Sequence, residues 1–443
     1  MLSLFFTLWL LLALFFCFKD LKIGASIFLA YMILVPNIQI QLGGHIFKEN
    51  LFNTAFLVSY IYYAHKNNYK TDFRPFIPFI VYFAVCFFSI FFQTHTPTAF
   101  MTNLLRINVM RTLILPFVIW NVINITPSSI TLFRNTILIS ITIAIIYGLY
   151  LTTKDGVNPY QFICMEIFGT DDHFDIDYFK NYYAAEGTGR LFGRISSVFT
   201  HPMKFALFIG LSFIFLFNFR EVIAKKVFVF LSFATALMAF FCGVRSVLAG
   251  LGIAVIYYLI VCKNYKMIVL SALLIVVGIV IIQYFPDMGS YLGSITDLNN
   301  TNGDIGGSSF DMRMQQLEGA IYEMSKNPVW GLGYEWTSYY ISKYGSHPVC
   351  LCFESLLYNI ICNNGIVGII IWMYLILSIL KYNKSVGRGH STILNSTLVF
   401  YLAFSFITGE NGYMQYYLIF YVIILASKKQ KNQGKVMTES LIC

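Results

Sequence analysis

Arg190 and Arg194 stand four residues apart in "GRLFGRISSVFTHP", just before an apolar run. On a helix that spacing sets both guanidiniums on one face. A guanidinium keeps its charge and grips phosphate oxygens through a planar, two-pronged fork. At the mouth of a membrane cavity it suits a lipid pyrophosphate. The plainer alternative, a cationic side chain snorkelling to the bilayer interface, weighs more for Arg190 than for Arg194. Arg245 lies in "FFCGVRSVLAGLGI", in a tight reversal between two apolar runs. A lone charge at a membrane edge marks a functional site unless it only meets a headgroup. Arg313 lies in "SSFDMRMQQLEGAIYEMSKNPVWGLGYEW", where Phe310, Met314, Leu317 and Ile321 recur at helical spacing. Such a helix would either aim Arg313 into a cavity or pair it with Asp311 or Glu318.

A carboxylate completes the set. Glu354 sits inside the apolar part of "SHPVCLCFESLLYNIICNNGIVGII", seven residues after His347. Apolar surroundings make a carboxylate a stronger base, so Glu354 is a candidate to take a proton from a hydroxyl. His347 could reach in from the preceding loop instead. His201 and His347 each precede a proline, which places both at helix entries and favours structural roles. The acidic patch "DDHFDID" at 171–177 lacks the glycine and the bidentate glutamate of a calcium loop and reads as a solvated face. No HExxH, CxxC or GxxxxGK[ST] pattern occurs, so neither a metal nor a nucleotide cofactor is expected.

These residues must be positioned by membrane helices. The chain has 443 residues, 58% hydrophobic and 12% charged, with a mean hydropathy of +0.69. Apolar runs near the ~20 residues of a bilayer span recur throughout. They predict an all-α polytopic membrane protein of about 12–14 helices, a single membrane domain over 1–443. Helices are expected at about 2–18, 23–41, 51–65, 76–93, 112–125, 136–152, 203–219, 227–243, 246–262, 267–285, 358–380, 391–408 and 413–427. The first run lacks a basic n-region and a small-residue cleavage site, so it reads as a retained helix. The cysteines read as small apolar packing residues.

The net charge of +9 falls into short clusters between the apolar runs, such as Lys66/Lys70/Arg74 and Arg220/Lys225/Lys226. That is the pattern of cytoplasmic loops, not of a nucleic-acid surface. It places the N-terminus outside and the C-terminus inside, and leaves only Asp20, Asp72, Glu221 and Glu439 as acids on the inner side. Two large outer loops follow, 153–202 and 286–357, the second carrying the amphipathic helix. Long loops of this kind are usually functional or disordered. The candidate site residues lie in them or beside them.

Four strings in order, "GRISSVFTHPMKFALF", "GVRSVLAG", "R…NPVWGLGY" and "FESLLYNIICNNGIVGIIIW", resemble the O-antigen polymerase and O-antigen ligase superfamily of bacterial membrane glycosyltransferases. The resemblance covers roughly residues 190 to 427. The N-terminal third matches only as a row of transmembrane helices. The resemblance implies metal-independent, inverting glycosyl transfer at the outer face of the bacterial cytoplasmic membrane. The donor is a glycan on undecaprenyl pyrophosphate, and arginines at the positions of Arg194, Arg245 and Arg313 bind the pyrophosphate. A chain-length regulator and a flippase are the protein partners it implies.

The ligase pattern carries a His-Asn pair 11 residues before the glycine of "GxxG". Counting back 11 from Gly365 gives Glu354. That departure resembles the polymerase branch, capsule repeat-unit polymerases included. The ligase remains the enzymatic alternative, and a lipid-linked oligosaccharide flippase the alternative of another class. A flippase would need charges deep in many helices to line a polar pathway. Here the charges avoid the helix interiors and gather on one face, which favours an enzyme with a site at the membrane edge.

Overall fold

The computed structural model describes residues 2–35, 39–42, 45–154, 157–168, 193–263, 310–410 and 412–440. They form a helical bundle: α1 (Leu2–Lys19), α2 (Leu21–Leu34), α3 (Glu49–Lys66), α4 (Ile77–Ser89), α5 (Thr98–Ile125), α6 (Ser129–Leu151), α7 (Pro159–Phe168), α8 (Pro202–Phe219), α9 (Lys225–Phe241), α10 (Arg245–Val261), α11 (Phe310–Ser325), α12 (Trp336–Tyr344), α13 (Leu356–Ser385), α14 (Arg388–Thr408) and α15 (Tyr413–Ser440). Twelve of the thirteen expected helices coincide with these. The thirteenth, at 267–285, lies outside the described residues, as do Arg190 and the patch 171–177. By length and composition, seven helices among the described residues can cross a membrane, and Leu21–Leu34 and Arg245–Val261 are shorter apolar helices. The protein is thus an all-α polytopic membrane protein.

Of the boundaries that differ from expectation, which include the start of α6 at Ser129 and the end of α15 at Ser440, two have a clear local reason. The helix expected at 23–41 stops at Leu34, because Val35 precedes a proline and is extended, at φ −116° and ψ 123°. Strands β1 (Gln39–Leu42) and β2 (His45–Lys48) follow as an antiparallel pair. The other is α5, expected from 112 but starting at Thr98, directly after Pro97. The asparagines and arginines of 103–111 disguised this half as a loop. They are tolerated on a helix because one of its faces borders a polar cavity.

The core is built around α15, buried continuously from Tyr413 to Ala426. Its Tyr417 ring stacks on Tyr401 of α14 at 4.7 Å and on Tyr421 at 5.6 Å. α15 packs on α5, α14 and α8; α10 packs along α14, and α2 along α1 and α6. The helix ends sort by charge. At one end Asp72 pairs with Arg74 at 2.8 Å and Lys429 at 3.8 Å, and Lys429 also reaches Asn124 at 3.3 Å. This end gathers the basic clusters. The opposite end carries the start of α8, the α9–α10 and α14–α15 reversals, and α11 and α12.

One joint shapes that opposite end. Gly365 breaks α13 with φ 59° and ψ −145°. The loop 327–334 plugs into the break: Ile366 N donates to Pro328 O at 2.9 Å and Val367 N to Val329 O at 3.1 Å. In return Leu332 N donates to Cys362 O at 2.8 Å and Gly333 N to Asn363 O at 3.1 Å. The loop carbonyls and amides thus replace the helical bonds that the break removes. Gln93 clamps the joint, donating to Trp330 O at 2.6 Å and Asn363 O at 3.0 Å and accepting from Tyr334 N at 2.9 Å. The strings "NPVWGLGY" and "NNGIVG", distant in sequence, are one structural unit.

Candidate active site at one end of the bundle

The structure sorts the singled-out residues into three neighbourhoods. The first joins Arg194 to the turn that presents Arg245. Gly243 adopts φ +65°, and a Cβ there would lie 3.0 Å from Arg194 Cγ, so the arginine stem runs across this glycine. Arg245, two residues on, is the first residue of α10, and both arginines are partly exposed. His201 belongs here too, capping α8 by accepting from Met203 N at 3.1 Å through Nδ1. Burial pushes His201 down to about 4, and the charges of Arg194 and Lys204 push the same way. It is therefore neutral near pH 7. Lys204, in the first turn of α8, lies within the field of Arg111, Glu49 and Glu410. A row of cations thus leads from Arg194 past Lys204 to Arg111.

The second neighbourhood is the meeting of α11 with the start of α13. Arg313 Nη1 donates to Glu354 O at 2.6 Å, and Nη2 stands 3.6 Å from Glu354 Oε2. Tyr358 Oη donates to Arg313 O at 2.8 Å. Arg313 thus takes Glu354, not Asp311 or Glu318, as partner. The apolar surroundings expected for Glu354 are absent, since its side chain is 42% exposed. The helix expected over Arg313 exists, but it buries a different stripe. Gln316, Ala320 and Glu323 face inward, and Met314 and Ile321 are exposed. Close packing on 349–362 selects small and polar residues: a Cβ on Gly319 would come within 2.8 Å of Val349.

His347 forms the third neighbourhood. It is buried, with its ring against Tyr340 and Phe353. Nδ1 accepts from Cys350 N at 2.9 Å and Val349 N at 3.2 Å, and Nε2 lies 3.5 Å from Glu323 Oε1. Nδ1 thus holds the turn 347–351, and Nε2 ties it to Glu323 of α11.

Beside these lies a cavity of about 480 Å³, walled by α4, α5, α12, α13 and the α14–α15 turn. Cys352 and Leu356 line it, one on each side of Glu354 in sequence. So do Arg111, Glu335 and Glu410, three charged residues that the sequence reading passed over. Arg111 donates to Gln415 Oε1 at 3.0 Å and pairs with Glu49 at 3.6 Å. Burial raises Glu335 above the ordinary carboxylate range, opposed by a hydrogen bond from Ser338. Burial raises Glu410 likewise, opposed by the amides of Met414, Gly412 and Tyr413. A signal was available. Glu410 is a lone charge in a short reversal, like Arg245, and Arg111 precedes an apolar run, like Arg194.

Fold and site together define a polytopic helical membrane protein with a charged, cation-flanked cavity at one end of its bundle. Residues 227–373 match the family model described as O-antigen ligase. The match covers about a third of the chain and agrees with its resemblance to the O-antigen polymerase and ligase superfamily. The matched stretch holds Arg245, Arg313, Glu335, His347 and Glu354; Arg111, Arg194 and Glu410 lie outside it. Among curated proteins, none matches the chain.

Proposed function

We propose that the protein is a polysaccharide repeat-unit polymerase, for O-antigen or capsule, at the outer face of the bacterial cytoplasmic membrane. It transfers the growing glycan from undecaprenyl pyrophosphate to a hydroxyl of a lipid-linked repeat unit. The bond from the sugar's anomeric carbon to the pyrophosphate oxygen breaks, and a bond to the acceptor oxygen forms. Arg194, Arg245 and Arg313 hold the pyrophosphate, with Arg190 as a further candidate outside the described residues. Neutralising its charge as it departs lowers the barrier. Glu354 takes the acceptor's proton.

The observation that carries this reading is the Arg313–Glu354 pair. It joins a phosphate-binding group and a proton acceptor 3.6 Å apart, beside residues that line the cavity. Glu354 stands where the ligase pattern has its histidine, which favours polymerase over ligase. His347, the other candidate base, has both ring nitrogens engaged. A chain-length regulator and a flippase belong to the same proposal as partners.

A deletion strain complemented with wild type or variants tests it on a glycan gel. A polymerase deletion leaves single repeat units on the lipid A core or capsule carrier. A ligase deletion strands long chains on undecaprenyl pyrophosphate, and a flippase deletion traps units on the inner face. Either of the last two patterns overturns the proposal.

A further inference from the structure

The roles above leave the cavity itself unused. Each of its carboxylates is already held in place. Glu335 accepts from Ser338 Oγ at 2.6 Å and Asn108 Nδ2 at 3.2 Å, and Glu410 accepts from Met414 N at 2.7 Å and Gly412 N at 3.2 Å. A carboxylate has about four lone-pair positions; Glu335 has two of them filled and keeps acceptors for a ligand, while Glu410, which the Tyr413 amide also serves, keeps fewer. Glu335 also sits in the left-handed region at φ 59°. A glutamate adopts that conformation only where its surroundings impose it, and such strain clusters at binding sites.

A second, independent observation points to a ligand. Asn364 is 5% exposed and lines the same cavity, yet its Oδ1 has no hydrogen-bond partner within the protein. A buried amide oxygen left unpaired costs about 1–3 kcal/mol, which a hydroxyl donor in the cavity would recover. The lining also holds an aromatic pair, Trp372 and Tyr82, which meet edge to face at 5.5 Å. Fixed acceptors beside aromatic surface complement a sugar ring, which carries hydroxyls at its edge and C–H groups on its faces. Among the described residues Arg111 is the one cation of the lining, and Glu49 and Gln415 engage it. Negative charge is in surplus among these residues, which disfavours a sugar carboxylate.

We propose that this cavity is the acceptor subsite and binds an uncharged sugar of the repeat unit, its hydroxyls held by Glu335, Glu410 and Asn364 against Trp372. The proposal rests on the polymerase or ligase reading and adds the chemical class of the acceptor to it.

The test uses the full chain in lipid nanodiscs and isothermal titration with two probes. One is the repeat-unit oligosaccharide of the expressing strain, freed from its carrier by mild acid and stripped of phosphate. The other is undecaprenyl pyrophosphate alone. Glu335→Gln and Ser342→Trp are expected to weaken oligosaccharide binding at least tenfold and to leave carrier binding within twofold. Ser342 is exposed at the cavity wall, so its replacement blocks the space without touching the packed interior. Oxidising the bound sugar to its uronic acid is expected to weaken binding at least tenfold. Oligosaccharide binding that is absent from wild type, unchanged in both variants, or indifferent to oxidation overturns the subsite. Incubating the same nanodiscs with lipid-linked units separates the two proposals. Polymer formed without cavity-dependent sugar binding sinks the subsite alone. Cavity-dependent binding with neither polymer nor ligated product sinks the enzymatic reading alone.

Discussion

Arg313 holds Glu354 by two atoms, donating to its carbonyl at 2.6 Å and standing 3.6 Å from its carboxylate. The two side chains are 26% and 42% exposed, and an ion pair that open is worth about 0–1 kcal/mol. Stability therefore does not explain the pairing. Arg313→Ala and Glu354→Gln are expected to keep the thermal midpoint within a few degrees, about the effect of 1 kcal/mol, and to abolish polymer. Fluorescence melts and a glycan gel measure both. Polymer of wild-type length in either variant would remove the pair from the site.

His347→Ala should do the reverse. The turn it holds would lose the acceptor for two amides, Val349 N and Cys350 N. Leaving buried donors unpaired costs about 1–3 kcal/mol. The variant is expected to melt earlier and to make less polymer in proportion to the folded protein that remains. Normal stability together with no polymer would move the base from Glu354 to His347.

The joint at Gly365 makes a sharper demand. A Cβ on Gly331 would lie 2.5 Å from Asn364 N, and one on Gly365 would lie 2.5 Å from Pro328 O, with φ positive at both. The left-handed backbone alone costs a residue with a Cβ about 1–2 kcal/mol, and backbone atoms cannot move aside cheaply. Gly331→Ala and Gly365→Ala should each lower stability by more than 2 kcal/mol on that basis, with polymer lost in parallel. Alanine variants that melt like wild type would show that the joint is looser than drawn.

Most of this bundle was legible because long apolar runs bounded by charge have few other solutions. What escaped were polar residues that serve a cavity. The first half of α5 looks like a loop, since Asn103, Arg106, Asn108 and Arg111 break its apolar pattern. The stripe Met314–Ile321 has helical spacing, but the spacing does not reveal that α11 packs by its small and polar face. Gly365 was legible as a break. That residues 327–334 fill it was not, because no local pattern encodes a contact some thirty residues away. Motif-centred reading also favours arginines, whose chemistry is distinctive, and passes over Glu335 and Glu410, whose significance lies in what surrounds them.

Opposed titrations follow from those surroundings. Burial raises Glu335 and Glu410 in the folded protein. Their contribution to stability is full below the ordinary carboxylate value and is lost as pH rises through the raised values. Asp72 behaves oppositely. Burial alone would raise it, but the hydrogen bonds and charge of Arg74, helped by Lys429, hold it below the ordinary value. Its contribution is full above that value and is lost as pH falls through the lowered one. Glu335→Gln should therefore flatten the decline of the melting temperature on raising the pH from about 4, and Asp72→Asn should flatten the decline on acidification. Profiles that keep the wild-type slope in both variants would contradict the burial that the structure gives these groups.

The arginine neighbourhood around Gly243 separates charge from shape. The Arg194 stem crosses Gly243, whose φ of +65° opens the space, and Arg245 follows two residues later. If both guanidiniums grip the pyrophosphate by paired hydrogen bonds, lysine is a poor substitute, because an ammonium supplies a point charge without the fork. Arg194→Ala and Arg245→Ala are expected to insert normally and make no polymer. Arg194→Lys and Arg245→Lys should retain carrier binding but bind at least tenfold more weakly, the loss of about 1.4 kcal/mol that one charge-assisted hydrogen bond represents. Titration of undecaprenyl pyrophosphate into nanodiscs measures this directly. Full affinity in the lysine variants would reduce the arginines to a general positive field, and full affinity in the alanine variants would place the pyrophosphate elsewhere.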